Sequence, residues 1–235
     1  MIQFYAPDIE ATGLLPESES AHCCRVLRMK EGDEIIVVDG KGKRFCCRIV
    51  EAHQKHTAVE ITGWEEAGNH WNYPITLAVA PTKLADRMEW LLEKVVEIGV
   101  DRIVLLKCRH SERKVMKRER LERVMISAMK QSLKGVLPKI EEMTDFSDFI
   151  NGCDAGSQLF FGYCDAAYPR KEFAKECCPG RPTVIMIGPE GDFSPEEVEM
   201  AVAKGFVPVT FGKSRLRTET AALYGVTAVH VINQI

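Results

Sequence analysis

Ile187-Gly188-Pro189-Glu190-Gly191-Asp192-Phe193-Ser194-Pro195-Glu196-Glu197 joins a strand-like run to a helix start. An apolar run ends in a Gly-Pro-Glu-Gly turn, and the turn leads straight into a helix start. Ser194 stands at the cap, Pro195 at the first helical position, and Glu197 closes a capping box. A second junction of the same kind follows about two dozen residues later: Phe211-Gly212-Lys213-Ser214-Arg215-Leu216-Arg217-Thr218-Glu219-Thr220-Ala221-Ala222. Taken singly, the first is either a tight connection or a ligand cradle. The second is either a surface loop capped by Thr218 or a polar site at a strand end. Glycines let backbone approach a ligand closely, and a helix N-terminus presents N–H groups without intrahelical partners. Two such junctions in adjacent units of one sheet carry more weight than either alone.

Outward from these loops the pattern is strand alternating with helix. Ile75–Ala80 reads as a buried strand, and Leu84–Ile98 as an amphipathic helix stopped by Gly99. Ile103–Lys107 is a strand, followed by a long basic helix ending at Gly135. Next come strand Leu159–Tyr163, a helix near Arg170–Cys177, strand Thr183–Ile187, helix Pro195–Lys204, strand Val207–Phe211 and a last helix Thr218–Asn233. Such alternation predicts an α/β domain, a mostly parallel sheet with helices on both faces and ligands at the carboxyl ends of the strands. The first seventy residues differ. Short runs at Glu34–Val38, Phe45–Val50 and Ala58–Ile61 alternate apolar with polar, with one helical stretch at Ser20–Leu27, and predict a small β-barrel. Polar Glu65–Pro74 reads as the linker. The expected domains are therefore residues 1–71 and 72–235.

The chain is 46% hydrophobic and 28% charged, with a net charge of -3, which excludes disordered and fibrous classes. No apolar run approaches the roughly 20 residues of a membrane span. The N-terminal MIQFYAPDIEATG lacks the pattern of a signal peptide. Nine cysteines, an odd number, include three adjacent pairs and no C-x-x-C, so they read as reduced thiols of a cytoplasmic protein, with no metal centre. His22, His53 and His56 read as surface or core histidines, and Met125 and Met129 as core. No G-x-G-x-x-G opens a helix and no P-loop is present.

Charge is unevenly spread. All the positive excess lies in the middle third, concentrated between Lys107 and Lys134, where three glutamates face ten cations. Arg113, Lys117, Arg120, Arg123, Lys130 and Lys134 recur at helical spacing, opposite Leu121, Val124, Met125, Ala128 and Leu133. This predicts a polyanion partner such as RNA, against the blander alternative of a solvated helix face.

IGPEGDFSPEE followed by SRLRTETAA resembles the signature of the knotted SPOUT-class methyltransferases. Within that class the chain is most similar to the bacterial RsmE-type 16S rRNA uridine-N3 methyltransferases. LLEKVVEIGVDRIVLLKCRHSERK, AMKQSLKGVLPKI and HCCRVLRMKEGDEIIVVDGKG extend the likeness over nearly the whole chain. The resemblance implies a C-terminal SPOUT domain with a trefoil knot, an N-terminal PUA-like RNA-binding barrel, and a homodimer. It implies S-adenosylmethionine held by Ile187, Gly188, Pro189, Glu190, Gly191, Leu216, Arg217 and Thr220. The implied substrate is a uridine of 16S rRNA in the small ribosomal subunit. RNA contacts fall to Arg25, Arg28, Arg109, Arg113, Lys117, Arg120 and Arg123, and catalytic roles to Arg217 and Glu219. The chain departs from the pattern at Asp192, where the family usually has a second glycine, and at Lys130, where it often has glutamate. Lys130 is expected to enlarge the basic patch. The small residues Ala221, Ala222, Gly225 and Ala228 of the last helix are expected to pack a dimer interface. An RNA-binding protein that kept the fold without the activity, and a small-molecule α/β enzyme, are the other readings. The second leaves the cation stripe without a purpose.

Overall fold

The computed structural model describes residues 2–154, 156–165 and 168–234. The chain forms two compact units: Met1–His70 with Ile126–Leu137, and Trp71–Met125 with Pro138–Ile235.

In the first unit, β1 (Gln3–Tyr5) precedes two short helices, α1 (Ile9–Thr12) and α2 (Glu17–Ala21), and α2 runs on as a π turn, His22–Val26. Strands β2 (Glu34–Val38), β3 (Lys43–Glu51) and β4 (Ala58–Glu66) follow. The sheet order is β1-β2-β3-β4, with β1 parallel to β2 and the other pairs antiparallel. Alternation along β3 explains its cysteine pair. Phe45, Cys47 and Ile49 point into the core with Phe4, Ile9 and Val37, whereas Cys46 points out. Burial, together with the neighbouring Cys46, pushes the Cys47 thiol up to about 11. All nine cysteines are free. Strand β1, too short to show a period, was not expected. It is recruited by pairing with β2.

The second unit begins at Trp71 and is built on a seven-stranded sheet. Its strands are β5 (Ile75–Val79), β6 (Arg102–Lys107), β7 (Lys139–Asp145), β8 (Gln158–Gly162), β9 (Lys171–Glu172), β10 (Thr183–Ile187) and β11 (Val207–Thr210). They lie in the order β7-β6-β5-β10-β8-β11-β9, every neighbour parallel. The helices are α3 (Ala85–Ile98), α4 (Arg118–Gln131), α5 (Phe146–Gly152), α6 (Phe173–Glu176), α7 (Pro195–Ala203) and α8 (Thr218–Gln234), with the end of α4 belonging to the first unit. Central β10 is buried at all five positions, as a strand covered on both faces must be. Val184 and Met186 face Phe146, Phe149 and Val198 of α5 and α7. Ile185 faces the opposite way, toward Gly225 of α8. Polar β7 escaped the sequence reading because an edge strand buries little, only Ile140 being buried, and α5 because its seven residues are too few to show a helical period.

Two expectations need correction. Helix α4 runs from Arg118 to Gln131, so Arg113 and Lys117 before it and Lys134 after it are not on it. The approach segment is held irregular: the Ser111 hydroxyl accepts the Cys108 N–H (3.0 Å), and Arg113 donates to the carbonyls of Thr82 (3.3 Å) and Lys83 (2.7 Å). Lys130 does not enlarge a patch either. It is largely buried in the first unit and donates to both carboxylate oxygens of Glu19, at 2.6 and 2.8 Å. Met125 and Met129 are core residues, as read from the sequence.

Of the small residues of α8, Ala222 and Gly225 serve the chain's own core, whereas Ala221 and Ala228 are half-buried. A Cβ built on Gly225 stands 3.1 Å from Ile185 and 3.3 Å from the Phe211 ring, and Ala222 is fully buried. The end of α8 is pinned by His230, whose Nε2 meets the Gly99 carbonyl at 2.9 Å and whose Nδ1 meets the Tyr73 hydroxyl at 3.0 Å. No helix among the described residues is long and apolar enough to cross a membrane. No group of three or more His, Cys, Asp or Glu among them could hold a metal ion. Gly225→Val forces branched carbons into the helix–sheet contact and should lower unfolding stability by about 1–3 kcal/mol, measured by denaturant titration.

Candidate functional site

Five loops leave the carboxyl ends of β5, β6, β8, β10 and β11, and the one after β10 is bonded to all the others. From the β5 end, the Ala80 N–H donates to the Ile187 carbonyl (2.9 Å) and the Lys83 N–H to Glu190 Oε1 (3.1 Å). From the β6 end, the Arg109 N–H donates to Glu197 Oε1 (2.8 Å), and His110 Nδ1 meets the Asp192 carbonyl (3.1 Å). A carbonyl only accepts, so this last contact places a proton on Nδ1. From the β8 end, the Cys164 N–H donates to Asp192 Oδ2 (3.1 Å). From the β11 end, the Thr218 hydroxyl donates to the Gly188 carbonyl (3.2 Å). Thr218 thus joins two loops through a side chain the sequence reading had only as a cap.

The capping box is as the sequence spells it. Ser194 Oγ accepts the Glu197 N–H (3.3 Å) and Glu197 Oε2 accepts the Ser194 N–H (2.8 Å). Glu197 is buried and divides its two oxygens between its own helix cap and the β6 loop. Burial, and then the charge of Glu197, push the Cys108 thiol far up, so Cys108 is an inert core thiol. The Cys164 thiol is also raised, first by burial and next by Asp192, against the opposing pull of Arg215 and Arg170.

Glycines lie where the loops crowd. A Cβ on Gly188 would stand 3.0 Å from the Phe193 ring, and one on Gly191 would stand 3.2 Å from His110 Cβ. One on Gly162, at the end of β8, would stand 3.0 Å from Ile187 Cδ1. The glycines therefore let the Phe193 ring, His110 and Ile187 pack directly against loop backbone at the end of β10. Ile187, Gly188 and Pro189 are buried, and Glu190 and Gly191 exposed.

The expected residues of the β11 loop diverge. Leu216 is half-buried and Arg217 exposed, whereas Glu219 is buried and makes an ion pair with Arg87 of α3 (3.7 Å). Glu219 and Thr220 line a shallow groove with Asp86, Arg87 and Trp90. In the basic stretch, Arg109 lies 3.5 Å from Glu196, Arg118 pairs with Glu122 (2.8 Å), and Arg120 pairs with Glu89 (2.6 Å). Lys114, Lys117 and Arg123 are exposed. In the first unit, Arg25 is exposed and donates to Gln54 (2.6 Å), and exposed Arg28 has a left-handed backbone. The sequence reading did not find Lys83 and His110. Each enters through one hydrogen bond across more than 25 residues, which no local pattern announces. Glu197→Ala strips the acceptor from two N–H groups and should cost about 2 kcal/mol of stability, with faster hydrogen exchange at Arg109 and Ser194.

Two family models cover the chain: an RNA methyltransferase domain over residues 69–230 and an RNA methyltransferase PUA domain over residues 15–62. A probable rRNA-methyltransferase from Porphyromonas gingivalis has a similar crystal structure, 45% identical, with TM-score 0.95 over 100% of this chain and 99% of that one. The ribosomal RNA small subunit methyltransferase E of Neisseria gonorrhoeae, solved bound to S-adenosyl methionine, is 28% identical, with TM-score 0.87 over 98% and 97%. The Bacillus subtilis enzyme of the same name is 25% identical over 95% of this chain and 90% of its own length. With its parallel sheet, its glycine loops at the strand ends and a match over residues 69–230, the chain belongs to the RNA methyltransferase domain family, with a PUA domain at its N-terminus.

Proposed function

We propose that this protein is an S-adenosylmethionine-dependent methyltransferase acting on N3 of a uridine in the 16S rRNA of the small ribosomal subunit, in the cytoplasm. The observation that carries the reading is the convergence of four other strand-end loops on the loop after β10, where Gly188 and Gly191 let Phe193 and His110 pack against the loop backbone. Backbone amides and carbonyls beside apolar Ile187 and Leu216 suit a nucleoside carrying a short polar chain, which needs both hydrogen bonds and apolar cover. The cofactor fits these residues. Ile187, Gly188, Pro189, Glu190, Gly191, Leu216 and Thr220 would hold it, and when bound it supplies an electrophilic methyl group. The related Neisseria enzyme was solved with that molecule.

The chain's own residues have two tasks. Holding N3 in line for attack can be worth about 7–11 kcal/mol through positioning alone. The imide proton of N3 must also leave, which puts negative charge on the uracil oxygens. Exposed Arg217, at the mouth of the β11 loop, is the cation we assign to that charge. Glu219, buried against Arg87, is better suited to hold the start of α8 than to take the proton, which then passes to water or a phosphate oxygen. The target base leaves its stack to reach the site. Phosphate contacts fall to Arg25 and Arg28 of the PUA domain, residues 1–71, and to Arg109, Lys117 and Arg123 of the catalytic domain, residues 72–235. Arg113 and Arg120, engaged within the fold, contribute less. The reading includes a trefoil knot, supported by α8 packing back over β10 and β5 with its first residue bonded to Gly188. It includes a homodimer through α3 and α8, supported by exposed Trp90, Tyr224 and Val231 on those helices.

Arg217→Ala should lower the single-turnover methylation rate by about 100-fold, while cofactor affinity by calorimetry changes little. Equal losses in both would make Arg217 a cofactor anchor. Nucleoside mass spectrometry should find the methyl group on N3, and a ribose- or C5-methylated product overturns the assignment. Replacing Lys114, Lys117 and Arg123 with Ala should flatten the slope of log K against log salt by up to about 0.7–0.9 for each phosphate that is no longer neutralised.

A further inference from the structure

We propose that Asp192 is a positioning residue for the cofactor site, locking the loop after β8 to the loop after β10 before anything binds. The inference rests on the reading of that site as one for S-adenosylmethionine. Asp192 has φ 59°, in the left-handed region that glycine adopts freely and aspartate tolerates better than most residues. Where the resemblance expects glycine, the chain therefore accepts a less comfortable backbone in return for a carboxylate.

That carboxylate is fully engaged. Oδ2 accepts the Cys164 N–H at 3.1 Å, and Oδ1 accepts the Phe193 N–H at 2.9 Å. The backbone of the same residue is bonded at both ends: its N–H donates to the Pro189 carbonyl (3.0 Å) and its carbonyl meets His110 Nδ1 (3.1 Å). One side chain and one peptide thus join the loops after β6, β8 and β10. Glycine could keep the two backbone bonds but would release Cys164. The segment Tyr163–Asp165 would then be held from its other side, by Arg170 on the Tyr163 and Cys164 carbonyls (3.2 and 3.1 Å) and by the Tyr163 N–H on the Val209 carbonyl. The order it lost would have to be restored at the moment of binding, which weakens affinity.

Asp192→Gly and Asp192→Asn test this in the full-length protein. In the cofactor-free protein, Asp192→Gly should speed hydrogen exchange at the Cys164 amide at least tenfold, leaving Ile185 and Met186 in β10 unchanged. It should raise the dissociation constant of S-adenosylmethionine by about tenfold, the scale of one hydrogen bond to a charged acceptor. S-adenosylhomocysteine, which lacks the sulfonium charge, should lose the same factor, because a positioning residue does not sense that charge. Asp192→Asn tolerates the same backbone and retains one acceptor oxygen, so it should fall between wild type and Asp192→Gly. Unchanged exchange at Cys164, or unchanged affinity despite faster exchange, overturns the proposal. A loss confined to the charged cofactor overturns it as well, in favour of direct electrostatic attraction. Should the wild-type protein bind neither molecule, the reading of the site fails, while exchange at Cys164 still reports on the latch.

Discussion

Strand β10 lies in the middle of an all-parallel sheet, between β5 and β8, and that placement constrains every loop at the sheet's carboxyl edge. Parallel strands bring all their carboxyl ends to one edge, so the loops that follow must share a small space. A strand with five buried residues and helices on both faces has no freedom to shift. The crowding is therefore resolved in the loop after it. Gly188 and Gly191 give up side chains to let the Phe193 ring and His110 in, and hydrogen bonds from four other loops fix what remains. Buried carboxylates take part only where each oxygen has an N–H to accept. Glu197 is the clearest instance, with one oxygen on its own helix cap and the other on the β6 loop.

Electrostatics follows the same rule. Counted along the chain, the stretch from Lys107 to Lys134 is strongly cationic. In three dimensions acids from distant segments come to meet it: Glu89 reaches Arg120, Glu196 approaches Arg109, and Glu19 takes Lys130 within the first unit. Arg113 is taken up by two carbonyls. The surface left for a polyanion is narrower than the linear count implies and centres on Lys114, Lys117 and Arg123. Only the Arg109–Glu196 pair is exposed on both sides, and such a pair contributes little to stability, so an approaching phosphate can compete for Arg109 at small cost.

Much of this protein was legible in its sequence. The alternation of apolar runs with capped helices is a local signal, so strand β10 and the capping box of Ser194 and Glu197 could be read residue by residue. Glycines beside strand ends marked the candidate site for the same reason: the requirement for backbone approach is written in one or two residues. The tertiary structure decided what depends on distance along the chain. It recruited Gln3–Tyr5 and Lys139–Asp145 as strands, because an edge strand is stabilised by its neighbour's hydrogen bonds rather than by an apolar period of its own. It turned Gly225 of α8 inward onto Ile185 and Phe211, since only packing tells which face of a helix meets the sheet. It also separated Glu219, paired with Arg87, from exposed Arg217, although they stand two residues apart in one motif. A sequence states which groups are present. Which of them are already satisfied by a partner far along the chain, and which remain open to a ligand, is settled only when burial makes every charge and every N–H find its counterpart.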